Sequence, residues 1–172
     1  MFSNPEKNLR VFGLKADGIV ADLGAGTGYY AVAAGKLVPQ GRVYAVELQK
    51  EYLDTIRYKI EEAHLKNVEI IWGNVEKIGG TKLRDGVADV VITSDILFQV
   101  EDKNLFIEEA KRILKPKGRL FLSDWSAGSI LSKIAVPKTK ARAMFEKKGF
   151  VFEREIDAGG EHYGMIFLKP NS

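Results

Sequence analysis

The sequence predicts one α/β domain in which helices cover both faces of a mostly parallel sheet. Short apolar runs alternate with helical segments through most of the 172 residues, and no repeat or low-complexity linker interrupts them. The last two apolar runs, 150–156 and 163–168, are joined by a connection too short for a parallel crossover. We therefore expect a doubly wound parallel sheet that ends in an antiparallel hairpin.

Capping and helix-breaking residues set the expected limits of the elements. Ser3 or Asn4 caps a first helix, and Gly13 ends it. Asn67 is expected to be a left-handed stop after a long helix, and the polar segment 75–88 to hold a loop and a ragged helix. The other expected elements are strands 18–23, 43–46, 68–72, 89–93 and 119–125, and helices 29–38, 50–64, 102–114 and 137–148.

The composition excludes several kinds of chemistry. The chain has no cysteine and two histidines, so it forms no disulfide or thiolate metal site, and no metal centre is expected. The net charge of +3 is spread without a block of like charges, which favours a mildly basic enzyme over a nucleic-acid binder. The apolar runs are far shorter than a membrane span and the start has no signal-peptide core, so we expect a cytoplasmic protein without a membrane partner.

A glycine turn follows the first expected strand. Gly24, Gly26 and Gly28 lie at the carboxyl end of strand 18–23, the edge at which doubly wound sheets bind ligands. Glycines let a ligand approach the backbone closely, and the amides that open the next helix can bind an electronegative group. A dinucleotide fingerprint needs glycine at position 29, which is Tyr29 here, so the spacing argues against NAD.

Two carboxylates beside this turn indicate the kind of ligand. Asp22 lies two residues before Gly24, where its charge would repel a pyrophosphate but attract an ammonium and a sulfonium group. That charge favours S-adenosylmethionine over NAD. Glu47 ends the second strand and can accept hydrogen bonds from both hydroxyls of an adenosine ribose, which both cofactors contain.

The segment 20–28, Val-Ala-Asp-Leu-Gly-Ala-Gly-Thr-Gly, resembles the first motif of class I S-adenosylmethionine-dependent methyltransferases, and the likeness extends over nearly the whole chain. It implies one Rossmann-like domain over 1–172 with strand order 3-2-1-4-5-7-6 and an antiparallel strand 7. Asp124-Trp125 and the segment 160–164 look most like the small free-standing members related to quinone-biosynthesis methyltransferases. The implied cofactor contacts are Asp22, Gly24, Ala25, Gly26, Glu47, Leu48, Asn74, Val75 and Ser94.

The chain departs from the family pattern after the fourth strand. Branches that methylate nucleic-acid adenine or protein glutamine carry Asn-Pro-Pro or Asp-Pro-Pro there, whereas 93–96 reads Thr-Ser-Asp-Ile, which argues against those substrates. Many small-molecule members have a histidine just beyond, where this chain has Phe98-Gln99, so a mechanism based on that histidine does not carry over. We expect the acceptor site to be built from an N-terminal helical cap, 1–14, a loop at 126–136 and the final hairpin.

Three side chains are candidates for catalysis on the acceptor side. His162 is expected at the turn of the final hairpin, where an imidazole could take a proton from an acceptor. Asp95 and Asp124 end strands at the same edge, although Asp124 has the alternative of capping the loop behind Trp125. Methyl transfer from a sulfonium needs alignment and a dry site more than a strong base, so a base is optional. His64, in the last turn of a helix, is interpreted as structural.

Three hypotheses for the partner follow from this pattern. A small-molecule acceptor is favoured, an RNA or ribosomal acceptor is the alternative because helix 137–148 is basic, and a non-catalytic partner subunit is the third. The basic residues of that helix are more simply a solvated face around Ala141, Met144 and Phe145. A small apolar stripe has three interpretations, which are a cover over the substrate pocket, a dimer contact and a buried flap; it consists of Ile130, Leu131 and Ile134. We accordingly expect a monomer or a homodimer.

Overall fold

A computed structural model describes residues 3–126, 128, 131 and 133–171, so Ile130 of the predicted apolar stripe lies outside the described residues. Strands and helices alternate as the apolar runs predict. In chain order the elements are α1 (Pro5–Phe12), β1 (Ile19–Leu23), α2 (Tyr29–Leu37), β2 (Arg42–Glu47), α3 (Lys50–Glu62), β3 (Val68–Trp72), β4 (Ala88–Ser94), α4 (Lys103–Ile113), β5 (Leu114–Trp125), α5 (Lys138–Lys147), β6 (Val151–Ile156) and β7 (His162–Leu168).

The strands within the described residues form one seven-stranded sheet in the order β3-β2-β1-β4-β5-β7-β6. The first five strands are parallel, and β7 runs antiparallel to both of its neighbours. The predicted fold class and strand order are therefore confirmed. Because β1 pairs with β2 on one side and β4 on the other, the order of the strands reverses there, and the carboxyl ends of these strands border a crevice.

Apolar side chains pack on both faces of the sheet, as a doubly wound fold requires. One cluster contains Phe106 of α4, Phe145 of α5 and Phe167 of β7, all fully buried. The other contains Phe12 of α1 and Phe121 of β5, whose rings lie edge to face with centroids 6.0 Å apart. None of the described helices is long and apolar enough to cross a membrane.

The capping predictions hold for α1 and α4 but not for α3. Asn4 accepts a hydrogen bond from the Lys7 amide at 3.0 Å, and Gly13 ends α1 with a φ of 83°. Asp102 caps α4 by accepting from the Leu105 amide. The left-handed residue after α3, however, is His64 with a φ of 53°, not Asn67. The Asn67 side chain instead donates to the carbonyls of α2 and its cap, at Gly35 and Val38.

The segment between β3 and β4 is a series of turns, so the prediction of a ragged helix there is wrong. Gly79 and Lys82 have positive φ values of 77° and 61°, which a helix does not tolerate. The buried Glu109 of α4 accepts hydrogen bonds from the amides of Gly79 and Thr81, and it pairs with Arg112. The amides that a helix would use internally are therefore bound by a side chain on a distant element.

Candidate active site

The glycine turn between β1 and α2 brings the crevice close to the backbone. Gly24, Gly26 and Gly28 all have positive φ values, of 73°, 54° and 85°. A side chain at Gly24 would place its Cβ 2.1 Å from Ile96, whereas a Cβ at Gly26 would meet nothing within 4 Å. Gly24 therefore fixes the packing of the turn, and Gly26 leaves open space for a ligand.

Two cavities meet at this turn, and together they contain all the predicted cofactor residues. The larger, about 560 Å³, extends from Asp22 and Ser94 to Trp125 and His162. The smaller, about 270 Å³, lies on the β2 side of the turn. Predicted residues that line the larger cavity are Asp22, Gly24, Ala25, Gly26, Ser94, Asp95 and His162. Those that line the smaller cavity are Gly24, Gly26, Glu47, Leu48, Asn74 and Val75.

Asp22 is a buried carboxylate at the larger cavity. The residue is 1% exposed because it lies near the end of the central strand, and its Oδ2 has no hydrogen-bond partner among the residues described. Burial, with a smaller contribution from the charge of Glu47, raises its pKa to about 7. A carboxylate in this state is stabilised by a ligand that brings a positive charge, such as an ammonium group.

Glu47 joins the glycine turn to the end of β2. Its Oε2 accepts from the Gly26 amide at 2.7 Å, and its Oε1 accepts from the amides of Leu48 and Gln49 at 2.8 Å. A carboxylate oxygen has two lone pairs, so Oε2 retains capacity for a ribose hydroxyl. Glu47 therefore has a structural role beside the predicted ribose contact.

Asn74 combines a turn-forming role with a place at the smaller cavity. Its Oδ1 accepts from the Glu76 amide at 2.8 Å, and its own amide donates to the Gly80 carbonyl. Val75, next to it, is buried, whereas Leu48 on the opposite side is half exposed. The smaller cavity is thus lined by apolar side chains together with polar backbone groups.

His162 and Asp95 form a pair at the larger cavity, and sequence reasoning did not predict which of the two is the more exposed. The β5–β7 register places His162 opposite Trp125, and the two ring centroids lie 4.2 Å apart. The His162 side chain is 3% exposed, and its Nε2 lies 2.9 Å from Asp95 Oδ1, outside hydrogen-bond geometry. The Asp95 side chain is 40% exposed. His162 is therefore buried behind Asp95, and Asp95 is the member of the pair that presents the more accessible group.

Asp124 has the geometry of a structural residue. It is fully buried, and its oxygens accept from the Leu97 and Trp125 amides at 2.9 and 2.8 Å. Burial raises its pKa to about 6. It lines neither cavity, and its bond from the Trp125 amide fits the alternative of capping the chain at Trp125, while the bond from Leu97 ties the segment after β4 to the end of β5; its contact with an acceptor stays a prediction.

Sequence reasoning missed a polar cluster that closes the larger cavity from the α1 side. The Asn8 side chain donates to Tyr30 Oη and to the Ala158 carbonyl, both at 2.9 Å, and Ser3 Oγ lies 3.0 Å from Tyr30 Oη. These contacts join α1, α2 and the β6–β7 connection. The available signal was that Asn8 shares a helix face with the apolar Phe12, four residues on.

Most of the charge on the basic helix α5 is neutralised by neighbouring acids. Lys138 pairs with Glu155, Arg142 pairs with Glu146 on its own helix, and Lys148 pairs with Glu108 of α4. Ala141 and Phe145 are buried beneath them. Only Lys140 and Lys147 of the predicted basic face lack an acidic partner within the described part of the chain.

The topology, the glycine turn and the buried Asp22 define a class of α/β proteins that bind a cationic nucleoside at the carboxyl ends of the strands. A sequence family described as "Methyltransferase domain" matches residues 14–163. The chain belongs to this family, the class I methyltransferases, whose cofactor is S-adenosylmethionine. The family membership that the segment 20–28 predicts is thereby confirmed.

Relatives and a solved structure agree with this membership. The chain is 33% identical over 110 residues to an arsenite methyltransferase from Aquipseudomonas alcaligenes, covering 61% of this chain and 32% of that protein. It is 26% identical over 127 residues to a demethylmenaquinone methyltransferase from Bacillus mycoides, covering 73% and 52%. The chain thus spans about a third of the length of the arsenite methyltransferase and about half of the length of the demethylmenaquinone methyltransferase. The crystal structure of an S-adenosylmethionine-dependent methyltransferase from Aquifex aeolicus superimposes with a TM-score of 0.88 at 28% identity, covering 97% of this chain and 90% of that one.

Proposed function

We propose that this chain transfers the methyl group of S-adenosylmethionine to a small-molecule acceptor held in the larger cavity. The observation that carries the proposal is the buried Asp22 carboxylate, whose Oδ2 lacks a partner within the described residues. Leaving such a group buried is costly, and the cofactor brings both an ammonium and a sulfonium group to offset it.

The residues on the two sides of the glycine turn suit the two ends of this cofactor. Glu47 and Asn74, at the smaller cavity, suit the adenosine, while Asp22 and Ser94, at the larger one, suit the amino-acid end. Gly26 allows close approach where the two cavities meet. When bound, the cofactor supplies an electrophilic methyl group on a sulfonium.

The chain's own residues have to hold the acceptor in a dry, aligned position. Tyr30 and Trp125 provide aromatic surface at the larger cavity, and Asp95 provides an accessible carboxylate. Ser3 and Pro5 of the N-terminal segment close the same cavity. This arrangement aligns an acceptor and offers one group that can receive its proton.

The size of the cavity and the contents of the chain narrow the acceptor. A volume of about 560 Å³ lies within the range of small-molecule pockets. Trivalent arsenic binds thiolates, and this chain contains no cysteine, which argues against arsenite as its acceptor. The ion pairs of α5 leave little free positive charge for RNA.

Calorimetric titration tests the cofactor assignment. S-adenosylmethionine and its demethylated product should bind with micromolar affinity, whereas NAD and ATP should neither bind nor compete. Asp54→Asn on α3, where the side chain is 85% exposed, is the matched control and should bind as the parent does. The absence of binding by S-adenosylmethionine would remove the enzyme assignment and favour the non-catalytic subunit.

Transfer of a labelled methyl group tests the acceptor class. The protein is incubated with methyl-labelled cofactor and with cell extract fractionated into metabolites, RNA and protein. Label should enter the metabolite fraction. Label in RNA, together with RNA binding that falls steeply as salt is raised, would overturn the small-molecule assignment.

A further inference from the structure

The charges that line the larger cavity are of one sign. Its charged lining residues within the described chain are Asp22 and Asp95, and neither lysine nor arginine is among them. The nearby Lys59 lies outside this lining, over the ring of Tyr29, where its Nζ donates to the Thr27 carbonyl at 2.8 Å. A cavity of this composition attracts cations and repels anions.

The cofactor offsets only part of this negative charge. Asp22 would pair with the ammonium group of the bound cofactor, and the cofactor's own carboxylate cancels one of its two positive charges. Asp95 belongs to the far side of the cavity, with Trp125 and His162. Its Oδ1 is buried against His162, while the side chain as a whole is 40% exposed, so the accessible part of the carboxylate remains available to an acceptor.

The surroundings of Asp95 are aromatic. Trp125 and His162 pack against each other with centroids 4.2 Å apart, and Tyr29 and Tyr30 line the same cavity. A carboxylate among aromatic faces is a common arrangement for binding an ammonium ion, because the ring faces carry negative potential. The His162 side chain is 97% buried and its Nε2 lies 2.9 Å from Asp95 Oδ1, so it holds one side of the carboxylate and leaves the exposed part of Asp95 to a ligand.

From these observations we infer that the methyl acceptor is an amine, bound as its ammonium ion by Asp95 against the ring of Trp125, and not a carboxylate, a phosphate or a phenolate. The inference rests on the proposed methyltransferase function and names the acceptor class for the same site. It differs from a transfer of the methyl group to a quinone-type acceptor.

The reaction balances with groups that are present. Asp95 accepts one proton from the ammonium ion, which leaves a lone pair on the nitrogen. The N–C bond to the methyl group forms as the S–C bond breaks, and the pair of electrons from the S–C bond stays on sulfur, which becomes a neutral thioether. The positive charge therefore moves from sulfur to nitrogen, toward the aromatic rings, so the ring faces favour the transition state over the ground state, while Asp95 holds the proton that it accepted. His162 is a positioning residue, because it contacts Asp95 Oδ1 and not the acceptor.

A panel of matched aromatic probes tests the acceptor class. The protein, saturated with S-adenosylhomocysteine, is titrated with phenethylamine, phenethyl alcohol, phenylpropionate and hydroquinone. Trp72→Phe leaves Trp125 as the single tryptophan and the fluorescent reporter, since the chain has two tryptophans. The amine should bind at least tenfold more tightly than each of the other probes, and trimethylphenethylammonium, which cannot be methylated, should compete with it. Tighter binding of phenylpropionate or hydroquinone would overturn the inference.

The Asp95→Asn variant assigns the preference to the proposed residue. Asparagine tolerates the left-handed backbone at this position, where φ is 53°, so the fold should persist. The variant should lose the preference for amine over alcohol while binding the alcohol and the cofactor as before, whereas Asp54→Asn should keep it. An unchanged preference would overturn the inference, and the quaternary ammonium competition decides the question even if the variant does not fold.

Transfer of a labelled methyl group distinguishes failure of the methyltransferase function from failure of the amine inference. If the cofactor binds and label enters amines, both the function and the acceptor class stand. If label enters only alcohols, acids or quinols, the methyltransferase function stands and the amine inference fails. If the cofactor does not bind at all, the proposed function itself fails.

Discussion

Replacing Asp22 with asparagine should make the protein without ligand more stable at high pH while weakening cofactor binding. The carboxylate is 1% exposed, and burial raises its pKa from 3.8 to about 7. A carboxyl group with a raised pKa binds its proton more tightly in the folded than in the unfolded chain. Its contribution to the free energy of unfolding therefore falls as pH rises from about 4 through 7 and stays low above that range.

The size of the effect follows from the two pKa values. One pKa unit corresponds to about 1.4 kcal/mol, so burying the charge costs about 4 kcal/mol at pH 8.5 and about 2 kcal/mol at pH 5. The substituted asparagine does not titrate, so the advantage of Asp22→Asn over the parent should grow by about 2 to 3 kcal/mol between these two pH values. Any cost of packing the asparagine amide is the same at the two pH values, so it cancels from the difference between them.

Urea unfolding at pH 5 and pH 8.5 measures this difference directly. Asp54→Asn, exposed on α3, is the control and should show no comparable change with pH. The same Asp22→Asn protein should bind S-adenosylmethionine about 10- to 100-fold more weakly, since a charge-assisted hydrogen bond is worth about 1.5 to 3 kcal/mol. A stability difference that stays constant from pH 5 to pH 8.5 would refute the placement of a costly buried charge at Asp22.

Three further substitutions probe the groups around the crevice. Glu47→Ala should weaken cofactor binding by about 2 to 4 kcal/mol in calorimetry. The melting temperature should fall as well, because the Glu47 carboxylate also accepts from the Gly26 amide and two others. If neither the affinity nor the melting temperature changes, the ribose does not bind at Glu47. His162→Ala should leave the affinity for S-adenosylhomocysteine nearly intact. It should lower kcat by about tenfold to a hundredfold, because His162 positions Asp95, and initial rates measured across pH test this. Loss of cofactor affinity would contradict the placement of His162 on the acceptor side. Glu109→Gln should cost about 3 kcal/mol in urea unfolding, because it breaks a buried pair that holds the turns before β4; a neutral result would contradict that role.

Local signals were sufficient to predict the alternation of strands and helices and the final hairpin, whereas the order of the strands came from the family resemblance. The glycine turn, the caps at Asn4 and Asp102 and the short connection between the last two strands each lie within a few residues of the feature they specify. Asp22 and Glu47 were found for the same reason, since each lies at or next to the end of a strand that the apolar runs define. Position along a strand was enough to bring them to one edge of the sheet.

Features that depend on distant partners were not predictable in this way. The burial of His162 behind Asp95 depends on the pairing of β7 with β5, which places His162 opposite Trp125. The turns at 75–87 depend on Glu109, about 30 residues further along the chain. Local propensity describes neither case, because the deciding contact is made by a side chain on another element.

The carboxylates at this edge of the sheet differ in how many of their hydrogen bonds the folded chain supplies, and the difference shows which of them gain most from a ligand. Both oxygens of Glu47 and of Asp124 accept from backbone amides, so these groups stabilise the fold even before a ligand binds, and Glu47 keeps a lone pair on Oε2 for the predicted ribose contact. Asp22 and Asp95 each have a buried oxygen with no hydrogen bond within the described residues. Folding alone does not favour the Asp22 carboxylate, because an unpaired buried charge destabilises the native state. A ligand that binds only the folded protein reverses that cost, by about 2.7 kcal/mol when its concentration is 100 times its Kd. Asp22, whose Oδ2 has no partner within the described residues, and Asp95, which contacts His162 through one oxygen only, therefore mark the positions at which a positively charged cofactor and, by our inference, a positively charged acceptor complete the structure.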